Sequence, residues 1–229
     1  MEDNMNCAII VAGGKGRRLD GNTKKQYLKL DSKYVLTHTI EKFQSSNMVH
    51  EIIVVCPEED IDFVREEICN TFNKVKSVIA GGAERQDSVY NALKILGEHI
   101  TKVLIHDGVR PFITEEEIKR CICKDVSACI LGVPVKDTIK KCVEGKIIET
   151  IDRATVFSIQ TPQVFNKDVI IRAHQNAIEY GWQSTDDSAL VEKLGEVVYI
   201  ELGSYENIKL TTPSDMDLAK FILAKRKEK

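Results

Sequence analysis

Apolar positions along this chain fall into two alternating kinds of run. Short unbroken runs read as buried strands: Cys7-Ala8-Ile9-Ile10-Val11-Ala12, Glu51-Ile52-Ile53-Val54-Val55-Cys56, residues 76–80, and Lys102-Val103-Leu104-Ile105-His106. Longer amphipathic stretches separate them. Over 35–46, Leu36, Thr39, Ile40 and Phe43 share one helical face. Residues 58–72 and 84–96 carry the same period, the latter through Val89, Leu93 and Leu96. Strands that are apolar throughout, alternating with helices, predict a mostly parallel sheet covered on both faces. Ligands in such sheets sit beyond the carboxyl ends of the strands, where the strand order reverses. The polar segments after Ala12, Ala80 and His106 fall at those ends.

The pattern changes after Pro134. Residues 137–151 alternate Lys, Thr, Glu and Ile without helical period, and Glu144-Gly145-Lys146 reads as a hairpin turn among them. A β-arm at about 137–152 is expected to project from the sheet. Helical period resumes at 167–180 and 187–194. A strand at 197–201 and a helix from Pro213 follow, with Thr212 as its N-cap. No repeat, low-complexity tract or linker divides the chain, so 1–229 reads as a single domain.

Composition narrows the function classes. The 229 residues are 43% hydrophobic and 29% charged, enough to bury a core. Thirty-two Lys and Arg nearly balance 35 Asp and Glu, which gives no basic field for nucleic acid. No run approaches the roughly 18 apolar residues of a membrane span. The acidic start lacks the basic region of a signal peptide, so a cytoplasmic protein is expected. Seven cysteines at irregular spacings complete no zinc set and fit a reducing compartment.

Three glycine- or carboxylate-bearing corners carry candidate chemistry. Ala12-Gly13-Gly14-Lys15-Gly16-Arg17-Arg18, continuing to Lys24-Lys25-Gln26, follows a strand. Glycines there let backbone N–H groups approach a phosphate. Leu19 stands where the dinucleotide fingerprint needs Gly, and Lys15 is followed by Gly16 rather than Ser or Thr, so neither common glycine-loop pattern is met. What remains is a phosphate loop supplemented by Arg17, Arg18, Lys24 and Lys25. Gly81-Gly82-Ala83-Glu84-Arg85-Gln86-Asp87-Ser88 opens a helix whose N–H groups favour an anion. His106-Asp107-Gly108-Val109-Arg110-Pro111 puts a carboxylate at a strand end, where it can meet Mg²⁺ on nucleotide phosphates or a salt bridge from Arg110. His106 fits a hydrogen-bonded core residue better than an acid–base group. A fourth group, Asp137-Thr138, Arg153, Gln160-Thr161-Pro162-Gln163, Thr185-Asp186-Asp187 and Asn207-Ile208-Lys209, suits a polyhydroxylated phosphate acceptor.

Taken together, Ala-Gly-Gly-x-Gly-x-Arg…Lys-Gln, Gly-Gly-x-x-Arg-x-x-Ser, His-Asp-x-x-Arg-Pro, Pro-Val-x-Asp-Thr-Ile-Lys, Gln-Thr-Pro-Gln-x-Phe, Thr-Asp-Asp and Asn-Ile-Lys-x-Thr-x-Pro-x-Asp resemble the 2-C-methyl-D-erythritol 4-phosphate cytidylyltransferases, in that family's order, from about residue 7 to residue 223. The resemblance implies a Rossmann-like α/β fold of the nucleotide-diphospho-sugar transferase type and a homodimer joined through the β-arm. It also implies a Mg²⁺ requirement, with CTP and a small polyol phosphate as substrates. By the same resemblance Arg18 and Lys25 match transition-state stabilisers, and Arg153 and Lys209 match the pair that positions the acceptor phosphate. Asp107 matches the metal-side carboxylate and, with Arg110, Thr138 and Thr185, belongs to the acceptor side. Ala12, Gly13, Gly14, Gly16, Gly82, Arg85 and Ser88 match the nucleotide side. The resemblance places the motif lysine at Lys25, although Lys24 stands where the family usually has Pro, and Gly108 replaces its usual Ala or Ser. Ribitol 5-phosphate cytidylyltransferases share several motifs, but Pro134–Lys140 and Thr185–Ser188 fit the methylerythritol enzymes better. The absence of extra C-terminal repeats and the presence of Gln160-Thr161-Pro162-Gln163 speak against a sugar-1-phosphate nucleotidyltransferase, and a non-catalytic nucleotide-binding module would have little reason to keep cations on both substrates' sides.

Overall fold

The computed structural model describes residues 5–13 and 24–228. Its centre is a seven-stranded sheet. Strands β1 (Met5–Val11), β4 (Glu51–Cys56), β5 (Val75–Ala80) and β6 (Ile100–Asp107) are parallel and account for the apolar runs. Between β1 and β4 lie the two-residue strands β2 (Lys29–Leu30) and β3 (Lys33–Tyr34), paired with each other. Strand β7 (Ala128–Pro134), the hairpin β8 (Ile139–Val143) and β9 (Lys146–Ile151), β10 (Phe157–Asn166) and β11 (Tyr199–Leu202) complete the set. The spatial order is β11-β7-β10-β6-β1-β4-β5. Only β10 runs antiparallel to its neighbours, β6 and β7. The order therefore reverses at β1, with β4 on one side and β6 on the other.

Alternation along each strand splits the core in two. Ala8, Ile10, Val54 and Leu104 face α1 (Val35–Ser45) and α4 (Glu115–Cys123), with the short α2 (Ile61–Phe63) at the margin. Cys7, Ile9, Val55 and Ile105 face α3 (Arg85–Leu93), α5 (Lys167–Glu179) and α6 (Ser188–Lys193). Both sets are fully buried, which is why these strands show no polar alternation. A third cluster joins α7 (Pro213–Lys227) to β2 through Leu30, Leu210, Ala219 and Ile222. Thr212 caps α7 as expected, accepting from the Asp215 N–H.

Two parts differ from expectation. The stretch 58–72 is not one α-helix: a 3₁₀ turn at Glu58–Asp60 leads into α2 and then a wider π turn at Val64–Cys69. The wider turn keeps Val64, Ile68 and Cys69 on the core side, a spacing that helical period alone does not separate from an α-helix. Strands β7 and β10 and helix α4 were not anticipated. Gln160, Thr161, Pro162 and Gln163 interrupt β10 with polar residues and proline, and the pairing with β7 shifts register between Ile159 and Gln163. Strands β8 and β9 form the hairpin beyond the sheet, turning at Glu144 and Gly145 with φ of 48° and 76°. Positive φ at both central residues gives the twist that a tight hairpin requires, and Gly145 adopts it without strain.

Candidate active site

The carboxyl ends of β1, β5 and β6 surround a cavity of about 440 Å³ lined by Ala12, Gly13, Lys25, Gly82, Asp107 and Lys209 among others. A second, of about 300 Å³, adjoins it and is lined by Arg110, Thr161, Gln163 and Thr185. Arg85, Asp107 and Lys209 line both cavities. This is the switch point of the sheet, where strand topology opens a crevice.

Backbone contacts shape the first cavity. Ala12 donates its N–H to the Val55 carbonyl at 2.7 Å, and its own carbonyl accepts from Gln26 Nε2 at 2.7 Å. The Gly82 N–H donates to Ser88 Oγ at 3.0 Å, and Ser88 Oγ donates to the Glu84 carbonyl. A Cβ at Gly82 would lie 2.2 Å from Cβ of Asp87, so only glycine fits the corner between β5 and α3. Gly13, Gly82, Ser88 and Arg85 thus line one cavity together. Arg18, Gly14 and Gly16 lie outside the described residues.

The two adjacent lysines point apart. Residues Lys25–Tyr27 form a 3₁₀ turn. Lys24 Nζ pairs with Glu59 at 2.8 Å and with Asp60 at 2.5 Å, and Asp60 also accepts from Tyr27 Oη at 2.9 Å. Lys25 lines the cavity instead. Lys24 thus ties its end of the turn to the segment after β4, and the lysine that the resemblance picks, Lys25, is the one on the cavity wall.

Asp107 is the electrostatic centre. It is 6% exposed and faces Lys209 at 3.0 Å, Arg110 at 3.2 Å and Arg85 at 3.5 Å. Burial alone would raise its pKa, but the three cations hold the carboxyl far below the usual carboxylate range. Arg110 also donates Nη1 to the Asn207 carbonyl at 2.8 Å, which fixes the segment carrying Lys209. Behind Asp107 runs a defined proton order. The Asp107 N–H donates to Thr161 Oγ1 at 3.1 Å, and that oxygen lies 3.0 Å from His106 Nδ1. His106 Nε2 lies 3.1 Å from the Arg110 carbonyl, which can only accept. The Nε2 nitrogen therefore carries the proton, and Nδ1 accepts from Thr161. Burial pushes this imidazole down to about 4, so it stays neutral. His106 is a core residue that fixes the site, as its position in the sequence suggested.

Among the described residues no three His, Cys, Asp or Glu side chains group into a metal-binding set. Both oxygens of Asp107 already face cations. The donor set is one carboxylate, which fits a divalent ion only if phosphate oxygens supply the other ligands.

The acceptor-side residues divide. Thr185 and Arg110 line the second cavity. Thr138 and Arg153 do not: both are exposed at the base of the hairpin, where Arg153 Nη1 donates to the Lys136 carbonyl at 3.0 Å. The expected meeting of Lys209 with Arg153 is thus absent within this chain, because the arm carries Arg153 away from the sheet. Asn207 and Asp187 stand in segments the sequence offered for the acceptor but serve as buried supports, and His174 had no distinct signal in the sequence. Asn207 is fully buried and donates Nδ2 to the Thr161 carbonyl at 2.9 Å. Asp187 and His174 are buried behind Arg85, 13 residues apart. Pairing across such separations leaves no spacing to read.

Comparison with known proteins agrees with this geometry. The family model for 2-C-methyl-D-erythritol 4-phosphate cytidylyltransferase matches residues 6–225. A protein of that name from Clostridium acetobutylicum is 45% identical over 226 residues, spanning 96% of this chain and 98% of its own. One from Clostridioides difficile is 44% identical over 222 residues, spanning 96% and 94%. The crystal structure of 4-diphosphocytidyl-2C-methyl-D-erythritol synthase from Anaerococcus prevotii superposes with a TM-score of 0.86 at 32% identity, covering 96% of each chain. That of the cytidylyltransferase from Thermus thermophilus gives 0.78 at 25% identity, covering 94% and 98%. The ribitol phosphate alternative is not favoured by these relatives. This chain belongs to the 2-C-methyl-D-erythritol 4-phosphate cytidylyltransferase family.

Proposed function

We propose that this chain transfers the cytidylyl group of CTP to 2-C-methyl-D-erythritol 4-phosphate, forming 4-diphosphocytidyl-2-C-methyl-D-erythritol and releasing pyrophosphate, a step of isoprenoid biosynthesis. The observation that carries the reading is the pair of adjoining cavities sharing Arg85, Asp107 and Lys209, one glycine-walled and one rich in polar side chains.

The acceptor phosphate needs no protein base. Its second pKa is about 6, so near pH 7 it is mostly a dianion. One of its oxygens attacks the α-phosphorus, a new P–O bond forms, the α–β bridge breaks, and its electron pair leaves on pyrophosphate. Two polyanions must meet for this, so the protein supplies positioning and positive charge. Lys25 faces the triphosphate in the glycine-walled cavity, and Arg18 is assigned to the same task. Lys209, held on Asp107, faces the acceptor phosphate. Asp107 spaces its three cations rather than leaving them to repel one another. Asp107 is the side chain that would help hold a divalent ion, Mg²⁺ in this reading, which would supply neutralisation of triphosphate charge when bound.

The exposed hairpin supports a homodimer. Val143, Ile147 and Ile148 are 54–65% exposed on it, an apolar surface that a second copy would cover. Arg153 and Thr138 at its base are then assigned to the partner's acceptor cavity. The compartment is assigned as the cytoplasm, in keeping with seven unpaired cysteines. No helix among the described residues is long and apolar enough to cross a membrane. The test is a pyrophosphate-release panel with CTP and Mg²⁺ against methylerythritol phosphate, ribitol 5-phosphate and glycerol phosphate. Turnover confined to the first is expected, and turnover only with another acceptor would overturn the assignment.

A further inference from the structure

Behind Arg85, in the wall shared by the two cavities, stand two buried side chains, Asp187 and His174, that line neither cavity. Arg85, the first residue of α3, donates Nη1 to Asp187 Oδ2 at 2.7 Å and turns Nε toward Asp107 Oδ1 at 3.5 Å. Asp187 Oδ1 lies 3.2 Å from His174 Nε2 on α5. The side chains of Asp187 and His174 are each 1% exposed, whereas that of Arg85 is 27% exposed. Asp187 lines neither cavity, and Arg85 lines both. The Asp187 backbone is itself fixed: Gln163 Oε1 accepts from the N–H groups of Asp187 and Ser188, both at 3.1 Å, while Gln163 Nε2 donates to Asp186 at 2.7 Å. The His174 ring stacks on Tyr90 of α3 with centroids 6.1 Å apart. The carboxylate thus joins α5, the 185–188 turn and α3 at one point.

An arginine left alone at a cavity wall samples many rotamers, and immobilising so long a side chain carries an entropic cost. Here two carboxylates grip the guanidinium on different edges, and one of them has no contact with either cavity. Burial would push the Asp187 carboxyl up, yet the Arg85 charge and the His174 hydrogen bond pull it below its ordinary range, so it stays ionised opposite Arg85.

Resting on the function proposed above, we infer that Asp187, backed by His174, is a positioning residue that fixes Arg85 as the common wall of the nucleotide and acceptor cavities, so that a side chain touching neither substrate sets the affinity for both. Asp187→Asn keeps the shape and removes the charge. A displacement of about 1 Å at a reacting site costs up to about 100-fold, and we expect about tenfold weaker CTP binding by calorimetry and about tenfold higher KM for each substrate. His174→Phe keeps a ring against Tyr90 but withdraws the contact to Asp187, and should shift the same constants by about threefold. Combined with Arg85→Lys, the Asp187→Asn change should add little, because both act through one guanidinium.

A purely structural carboxylate gives another pattern. Asp187→Asn would then lower the melting temperature while the folded enzyme kept its CTP affinity and both KM values, or its effect would add fully to that of Arg85→Lys. Either result overturns the inference. If Asp187→Asn does not fold, unchanged constants in His174→Phe overturn it instead. Wild-type turnover in the same assay separates the two readings. A wild type that binds CTP without turnover refutes the proposed reaction and leaves the calorimetric comparison decisive. One that binds no CTP refutes both.

Discussion

The buried neutral imidazole of His106 makes stability fall with pH in a range where few other groups titrate. In the unfolded chain its pKa is about 6.5, while in the folded protein burial lowers it to about 4. Above pH 6.5 both states are neutral at this group, and its contribution is fully present. As the pH drops the unfolded chain takes up a proton that the folded protein refuses, so stability is lost until the folded pKa is reached. The difference of about 2.5 units amounts to about 3 kcal/mol, and about 2 kcal/mol of it falls between pH 7 and pH 5. His106→Gln retains a donor and an acceptor but does not titrate. Urea unfolding of both proteins at pH 7, 6 and 5 isolates the effect: the wild type should lose about 2 kcal/mol more than the variant across that range. Equal losses, or a folded imidazole titrating near 6.5 by NMR, would refute the burial of a neutral His106 on which the argument rests.

Other expectations follow from the same geometry. Lys25→Ala should lower kcat by about 10²–10³ while CTP still binds, since removing one donor to developing charge costs about that much; a near-normal kcat would remove Lys25 from its assigned role. Asp107→Asn removes the buried carboxylate that Arg110, Lys209 and Arg85 share. Breaking such a buried pair costs about 3–5 kcal/mol, or roughly 6–20 °C in melting temperature, read by calorimetry. An unchanged melting temperature would mean that the cations are held elsewhere. Ile147→Glu with Ile148→Glu should convert a dimer into monomers in sedimentation and remove activity while each monomer stays folded; an active monomer would detach Arg153 from the partner's site.

Much of the fold was legible because the physics of a covered parallel sheet is local. The buried strands are unbroken apolar runs, and glycines mark the corners where β5 meets α3. The site was legible only in part. Motif residues Ala12, Gly82, Asp107 and Lys209 do meet, and the corner at Gly82 explains its glycine sterically. Strand β10 was hidden because the residues that serve the second cavity, Gln160 to Gln163, are polar and contain proline, so it reads as a loop. Lys24 and Lys25 are adjacent and of one charge, and their pointing apart is set by a 3₁₀ turn and by Glu59 and Asp60, which lie more than 30 residues away. The charge chain from His174 to Asp107 links α5, the 185–188 turn, α3 and β6, and a pairing of that kind has no periodicity.

The central claim is that the acceptor phosphate attacks the α-phosphorus of CTP in this crevice. Incubating the protein with CTP labelled at the α-phosphate, methylerythritol phosphate and Mg²⁺ tests it in one step. The label should appear in a diphosphate-linked cytidine product, matched mole for mole by unlabelled pyrophosphate. Label released as CMP, label carried into the pyrophosphate, or no transfer at all would contradict the account.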